Sequence, residues 1–448
     1  MRFAKHHWLL APLALALPAA AARAESAAPP APGHAREVAE ARAGEEEALW
    51  GRFRKARGDR PLDPEQRELL ALLNEIGYAS GSQSAQGSGV SRHDAARAHR
   101  GLNFYTSGHA PEAVLIDMDG RELHRWRLEA QAAWPDVPAV LTQENSRWWR
   151  RARLLPNGDV LAIFAGIGIV RVDRDSKLLW ARLNGAHHDL ELQPDGSIVT
   201  LVREWRRIDF VNPDHPVLDD LVVVLDAEGR EQRRVSLLEA FERSRYRGFW
   251  RDRAGRQGDI LHANTVSVLD GRLAARHAAF RRGNILISCR STDVIAVLDP
   301  AKGVIVWAQS GGFRGQHDPK LLDNGQLLLF DNLGPGQASR VIEMDPLSGK
   351  ASWVFQGSAE EPFFTRTCGS ADRLPNGNTL MVESDNGRAI EVSPDKRVVW
   401  EFWNPNRAGA QGEFIATLFD VDRVPPEYAR GWLGAAAAPR APGASGAR

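Results

Sequence analysis

Three histidines stand at matching distances ahead of turn glycines. His188 lies eight residues before Gly196 and His317 eight before Gly325, and both open the pattern H-D-x-x-L-x-x-[N/D]-G. His262 lies nine before Gly271 and opens the same kind of strand. A neutral imidazole is a competent nucleophile and proton carrier near pH 7, because its ordinary pKa of about 6.5 leaves most of it unprotonated. Other polar residues gather by the same offsets. Asn264 follows His262 by two positions, so in extended chain it shares that face. Arg290 ends the strand that returns toward His262, and Arg203 and Asn332 hold the same distance from their own glycines. Arg150, eight before Gly158, takes the histidine register in a further unit. Asp189 and Asp318 follow their histidines and should face away if the strands are regular. A lining of His, Arg and Asn with no carboxylate pointing in suits an anion.

The elements that carry these residues repeat. Apolar–turn–apolar hairpins recur at 154–164, 192–202, 283–289, 321–330 and 374–383. They alternate with acidic turns followed by strands that end at Trp126, Trp180, Val235, Trp307, Trp353 and Trp400. The spacing of about 55 residues per unit predicts an all-β fold, a six-bladed β-propeller over 99–425. Pairing of 412–422 with the first blade would close the ring. The largest loop expansion lies at 203–260. In a propeller the first strand of each blade lines the channel, so residues opening equivalent strands converge at one mouth. The recurrent Trp residues are read as packing between blades.

The motif HDPKLLDNGQLLLFDN, with the H-x-N of His262 and Asn264 and the Arg of ISCR, resembles the bacterial arylsulfate sulfotransferases. These are exported six-bladed propellers that need no 3′-phosphoadenylyl sulfate or other cofactor. The resemblance covers about residues 100–425. It implies a ping-pong reaction between a small-molecule aryl sulfate donor and a phenolic acceptor, through a sulfohistidine. By motif match His317 is the nucleophile, with His188, His262, Asn264 and Arg290 around it. Arg203, Asn332 and Arg150 are candidate substrate-binding residues. His262 is the first choice as general acid and base and His188 the second. Where well-known members carry an N-terminal β-sandwich, this chain offers helical and linker residues. Cys289 and Cys368 do not match the spacing of those members' short-range disulfide.

Lys+Arg and Asp+Glu both number 57, which gives no reason to expect nucleic acid or an anionic membrane as partner. A basic start, an apolar run and Ala22-Arg23-Ala24 read as a cleaved export signal over 1–24, so a periplasmic or secreted location is expected. No later segment is long and apolar enough to be a transmembrane span. Residues 25–98 are read as a helical N-terminal segment and Gly/Ser linker, and 426–448 as a low-complexity tail. Oligomeric state leaves no mark in the sequence. Three other functions compete. A non-catalytic propeller of the same family would hold an anion at the mouth. A His₃ metal site is opposed by the fixed charge of Arg290, so no metal is assigned. A quinone-dependent dehydrogenase lacks its adjacent cysteine pair and calcium carboxylates.

Overall fold

The predicted hairpins become the inner strands of blades, and the acidic-turn elements become the outer ones. The structure, a computed structural model, describes residues 87–137, 144–252, 258–409 and 412–433. The chain divides into two units, Met1–Pro61 and Leu62–Arg448, and the described residues belong to the second. The expected export signal, the N-terminal segment and linker up to residue 86, and tail residues 434–448 lie outside them. Six antiparallel sheets follow one another. Blade 1 takes its inner strand, Leu418–Val424, from the C-terminal end and its other three from Leu102–Ser107, Glu112–Ile116 and Glu122–Arg127. The ring is thus closed by strand pairing, as the sequence predicts. The inner strands of blades 2 to 6 are Arg151–Leu154, Ala186–Leu192, Ala263–Val268, His317–Leu321 and Ser370–Arg373.

Apolar side chains alternate between the two faces of each blade and meet those of the neighbours. Val199 and Leu201 of blade 3 share a core with Ile285 and Ile287 of blade 4, while Ile198 and Val202 on the opposite face pack with Leu161 and Ile163 of blade 2. Four of the five recurrent Trp residues are latches between blades, and Trp307 packs in a core that spans blades 4 and 5. Trp126 donates to the Gly158 carbonyl of the next blade at 2.9 Å, Trp180 to Ala227 at 3.2 Å, Trp353 to Pro394 at 3.3 Å and Trp400 to Met118 at 2.9 Å. Blade 3 ends its element in Val235, and there Arg233 donates to the Pro300 carbonyl instead, at 3.2 Å.

Two segments outside the drawn boundaries belong to the propeller. Gly89–His93, placed in the N-terminal segment by sequence, pairs with Val398–Trp403 as a fifth strand at the edge of blade 6. Such an addition covers an open row of backbone donors and acceptors. Pro426–Leu433, read as the start of a tail, is a helix that buries Ala429 and sets Trp432 5.5 Å from the Trp126 ring.

The axis is filled by charge. Arg151 of blade 2 reaches Asp189 of blade 3 at 2.9 Å, Asp318 of blade 5 at 3.4 Å and Asp420 of blade 1. The amide of Val266 in blade 4 donates to Asp189 at 3.1 Å, and that of Ala371 in blade 6 donates to Asp318 at 3.0 Å. All six blades therefore meet in one buried network. Against the desolvation of burial, Arg151 and Arg153 hold Asp420 far below the ordinary carboxylate range. Removing one partner of a buried ion pair leaves the others unsatisfied. We expect Arg151→Met to lower stability by about 3–5 kcal/mol in chemical denaturation. Arg272→Ala, which breaks a surface pair, should cost no more than about 1 kcal/mol. Equal effects would show that the axial network does not hold the ring.

Candidate active site

The inner strands of blades 3, 4 and 5 are not regular where they reach the mouth. His188, His262 and Asp318 have φ of 54°, 51° and 52°, the left-handed region that few non-glycine residues occupy. Strand pairing slips at or next to these places, in blade 4 at Asn264, as it does at a β-bulge. Sequence reasoning assumed regular strands and turned Asp189 and Asp318 away. The bulges instead seat both carboxylates on Arg151, beneath the mouth. Backbone strain of this kind costs about 1–3 kcal/mol per residue and is held by its surroundings.

His317 opens the inner strand of blade 5 and is buried. Its Nδ1 lies 2.8 Å from Asn332 Oδ1 and 3.0 Å from the Gly315 carbonyl. The amide of Asn332 is oriented by donating to the carbonyls of Thr365 and Cys368 at 3.0 and 2.8 Å. Both partners of Nδ1 are thus acceptors, so Nδ1 carries the proton and Nε2 the lone pair. Burial pushes the His317 pKa down to about 3, the hydrogen bond to Asn332 opposes this, and the charges of Arg290 and Arg150 add to it. The ring is neutral at any physiological pH. Asn332, offered by its position as a substrate ligand, has both amide protons committed and acts on His317.

Asn264 likewise faces the protein. Its amide donates to the Gln316 carbonyl at 2.9 Å, one residue before His317. The fully buried Gln316 side chain donates to Ser288, Cys289 and Val294, which ties the start of this strand to blade 4.

The other two histidines differ in their partners. His262 Nδ1 lies 2.6 Å from Asp259, whose other oxygen accepts the His262 amide at 3.0 Å. Against burial, the hydrogen bond to His262 keeps Asp259 below its ordinary pKa, hence ionised. His188 Nδ1 meets His187 Nδ1 at 2.7 Å, and His187 Nε2 faces Asp220 at 3.2 Å. The Asp220 carboxylate beside Nε2 of His187 favours a proton there, and with it the proton between the two rings on His188, although the Nε2 approach does not have hydrogen-bond geometry. Burial, then His262, His187, Arg150 and Arg203, hold the His188 pKa well below its ordinary value. The His188 and His262 rings stand edge to face with centroids 4.9 Å apart.

Three arginines complete the mouth, and among the described residues none of them is in an ion pair. The returning strand of blade 4 breaks into a short turn at Arg290, whose Nε is buried with no hydrogen-bond partner. Arg150 lies over the Phe419 ring at 4.9 Å, with Nη2 3.4 Å from Cys368 Sγ. Arg203 passes so close to Gly166 that a β-carbon there would lie 2.6 Å from its Nη2. Cys289 and Cys368 are both free thiols. The eight site residues named from sequence thus fall in one region, six with side chains at the mouth and two, Asn264 and Asn332, behind His317. Sequence reasoning missed Asp259, His187 and Asp220. The D-x-x-H spacing of Asp259 and His262 is visible, but Asp259 lies within the loop expansion, where the repeat gives no register.

An arginine cluster with an unpaired buried donor lies beside a histidine whose lone pair is fixed in place, an arrangement able to hold an anion and to attack it. The arylsulfotransferase (ASST) family pattern matches this chain over residues 151–405, more than half its length, and the chain belongs to that family. No curated protein sequence matches it. Solved structures are similar in fold alone. A protein of unknown function from Bacteroides caccae is 12% identical with a TM-score of 0.46, over 72% of this chain and 98% of that one. A streptogramin B lyase is 10% identical with a TM-score of 0.41, over 77% and 97%. The Cps50 (Swd1) β-propeller domain of Myceliophteria thermophila is 11% identical with a TM-score of 0.41, over 75% and 97%. Among the described residues no helix is long and apolar enough to cross a membrane.

The tautomer of His317 is directly measurable. Nitrogen-15 NMR of labelled histidines should show it as Nδ1–H in the wild type and as a mixture in Asn332→Leu. A pure Nε2–H form in the wild type would contradict the assignment.

Proposed function

We propose that the protein transfers a sulfuryl group from an aryl sulfate to an acceptor phenol through a covalent intermediate on His317. The observation that carries this reading is the fixed Nε2 lone pair of His317 beside the unpartnered Arg290. The Nε2 lone pair attacks sulfur while the S–O bond to the aryl group breaks, and its electron pair leaves on the phenolate oxygen. Negative charge spreads over the equatorial oxygens, as in phosphoryl transfer, and Arg290 with Arg150 and Arg203 supply the opposing charge. The phenolate, whose conjugate acid has a pKa of about 10, takes a proton from His262. Asp259 stabilises the imidazolium that gives it. In the second half-reaction His262 accepts the proton of the incoming phenol, whose oxygen attacks sulfur, and the S–N bond pair returns to His317.

We assign the roles that sequence left open by the environment of each ring. His262 is paired with a carboxylate, so its cation is supported; His188 is buried beside other cations and presents a lone pair. His188 therefore accepts a hydrogen bond from the substrate side and does not deliver a proton. Export of the chain, proposed from Ala22-Arg23-Ala24, would put this chemistry in the periplasm or outside the cell.

Kinetics with 4-nitrophenyl sulfate and phenol test the scheme. Parallel double-reciprocal plots are expected, and His317→Asn should release no nitrophenol while unfolding at the same denaturant concentration as the wild type. Nitrophenol release at the wild-type rate in that variant would end the proposal. Because His317 protonates only near pH 3, the rate of donor cleavage should show no acidic limb above about pH 4. A rising limb near the ordinary histidine value of about 6.5 would mean that the nucleophile titrates normally. Asp259→Asn should slow phenyl sulfate about 10²-fold. The better leaving group of 4-nitrophenyl sulfate needs the proton less and should suffer less. Equal losses would remove Asp259 from proton transfer.

A further inference from the structure

The hairpin of the second and third strands of blade 3, Ile198–Ile208 and Asn212–Leu225, is much longer than its counterparts. The inner strand ends its pairing at Ala186 with Val202, so residues from Arg203 onward stand above the mouth. A short strand, Gly258–Asp259, joins the hairpin in parallel. The two faces of this extension are unlike. One carries Arg206, Val217 and Asp219 and is covered: Arg206 pairs with Glu239 of the helix Leu237–Glu242, and Val217 is fully buried in a core with Leu237 and Phe241.

The other face carries Arg203, Trp205 and, directly across the strands, Leu218 and Asp259. Residues paired in this way share a face, and Asp259 on that face holds His262. The row Trp205–Leu218–Asp259 thus leads from an indole to the carboxylate that holds the proposed general acid, across three strands or about 10 Å. Arg203 stands two positions below Trp205 on the same strand and face. Trp205 is 65% exposed, although Trp is ordinarily among the more buried side chains. It makes no ring contact among the described residues.

We propose that Trp205 is the aromatic platform of the substrate site, stacking on the arene whose sulfate ester lies among Arg203, Arg290 and His317. This rests on the function proposed above and names what that site recognises beyond the sulfuryl group. In a ping-pong scheme the leaving phenol and the entering phenol occupy the same position in turn, so one indole serves both. Stacked aromatic pairs gain most when offset or edge to face, with centroids 4.5–7 Å apart. A bare indole at the rim offers either arrangement to a ring held by its ester.

Steady-state kinetics of Trp205→Ala and Trp205→Phe, with inorganic sulfate as a competitive inhibitor that has no ring, separate the possibilities. In Trp205→Ala the KM for both 4-nitrophenyl sulfate and 1-naphthol should rise about threefold to tenfold. The kcat should hold, because the ring is stacked equally in the ground and transition states. Trp205→Phe should recover most of the loss, and inhibition by sulfate should be unchanged in both variants. Unaltered aryl KM values in Trp205→Ala would overturn the platform, as would a parallel weakening of sulfate inhibition, which would show general damage to the mouth. A wild type without transfer would defeat the catalytic reading. Calorimetric binding of 4-nitrophenol to the wild type and Trp205→Ala would then decide the platform, equal affinities counting against it.

Discussion

One guanidinium holds the inner ends of the blades together. Arg151 is buried at the axis and faces carboxylates from blades 3, 5 and 1, and two of these accept backbone amides from blades 4 and 6. Around it, Arg153 and Lys320 face Asp422 and Asp372, so three cations meet five carboxylates. Burial pushes Asp422 up to about 7, which lets it share in neutralising that excess. The network fixes the height of each inner strand against its neighbours. The aspartates it captures in blades 3 and 5 are the residues immediately after His188 and His317. In blades 3 and 5 the captured aspartates sit at the bulges, directly after the histidines of the mouth.

The result is a layered axis, with acidic groups locked to cations below and arginines above that are in no ion pair among the described residues. In the proposed reaction an anion entering the mouth meets arginines that hold no direct ion pair, with the carboxylate of Asp259 committed to His262. Each histidine is also held by its Nδ1: His317 by Asn332, His262 by Asp259 and His188 by His187. In the proposed reaction three identical side chains therefore take three roles. An amide gives a neutral nucleophile, a carboxylate gives a proton carrier, and a second imidazole gives a hydrogen-bond acceptor. The difference lies in what stands behind each ring.

The blade count, the closing strand and the Trp latches were legible because each repeats, and a repeat reports packing that every copy must satisfy. The convergence of His188, His262 and His317 followed from the same register. What the repeat hid was local. A left-handed histidine or aspartate has no signature in one sequence, so the capture of Asp189 and Asp318 by Arg151 could not be read. Asp259 and Trp205 belong to the one blade whose hairpin outgrew the pattern, and without a register their faces were undefined. Gly89–His93 is a short strand with only Val90 strongly apolar, and it pairs with residues more than 300 positions away, beyond any periodicity.

Intact-protein mass spectrometry after brief exposure to 4-nitrophenyl sulfate without acceptor, at mildly alkaline pH, tests the account most directly. A gain of one SO₃ that maps to His317 and disappears on adding phenol is the predicted result. A gain that maps to His188 or His262, or no adduct while nitrophenol is still released, would contradict it.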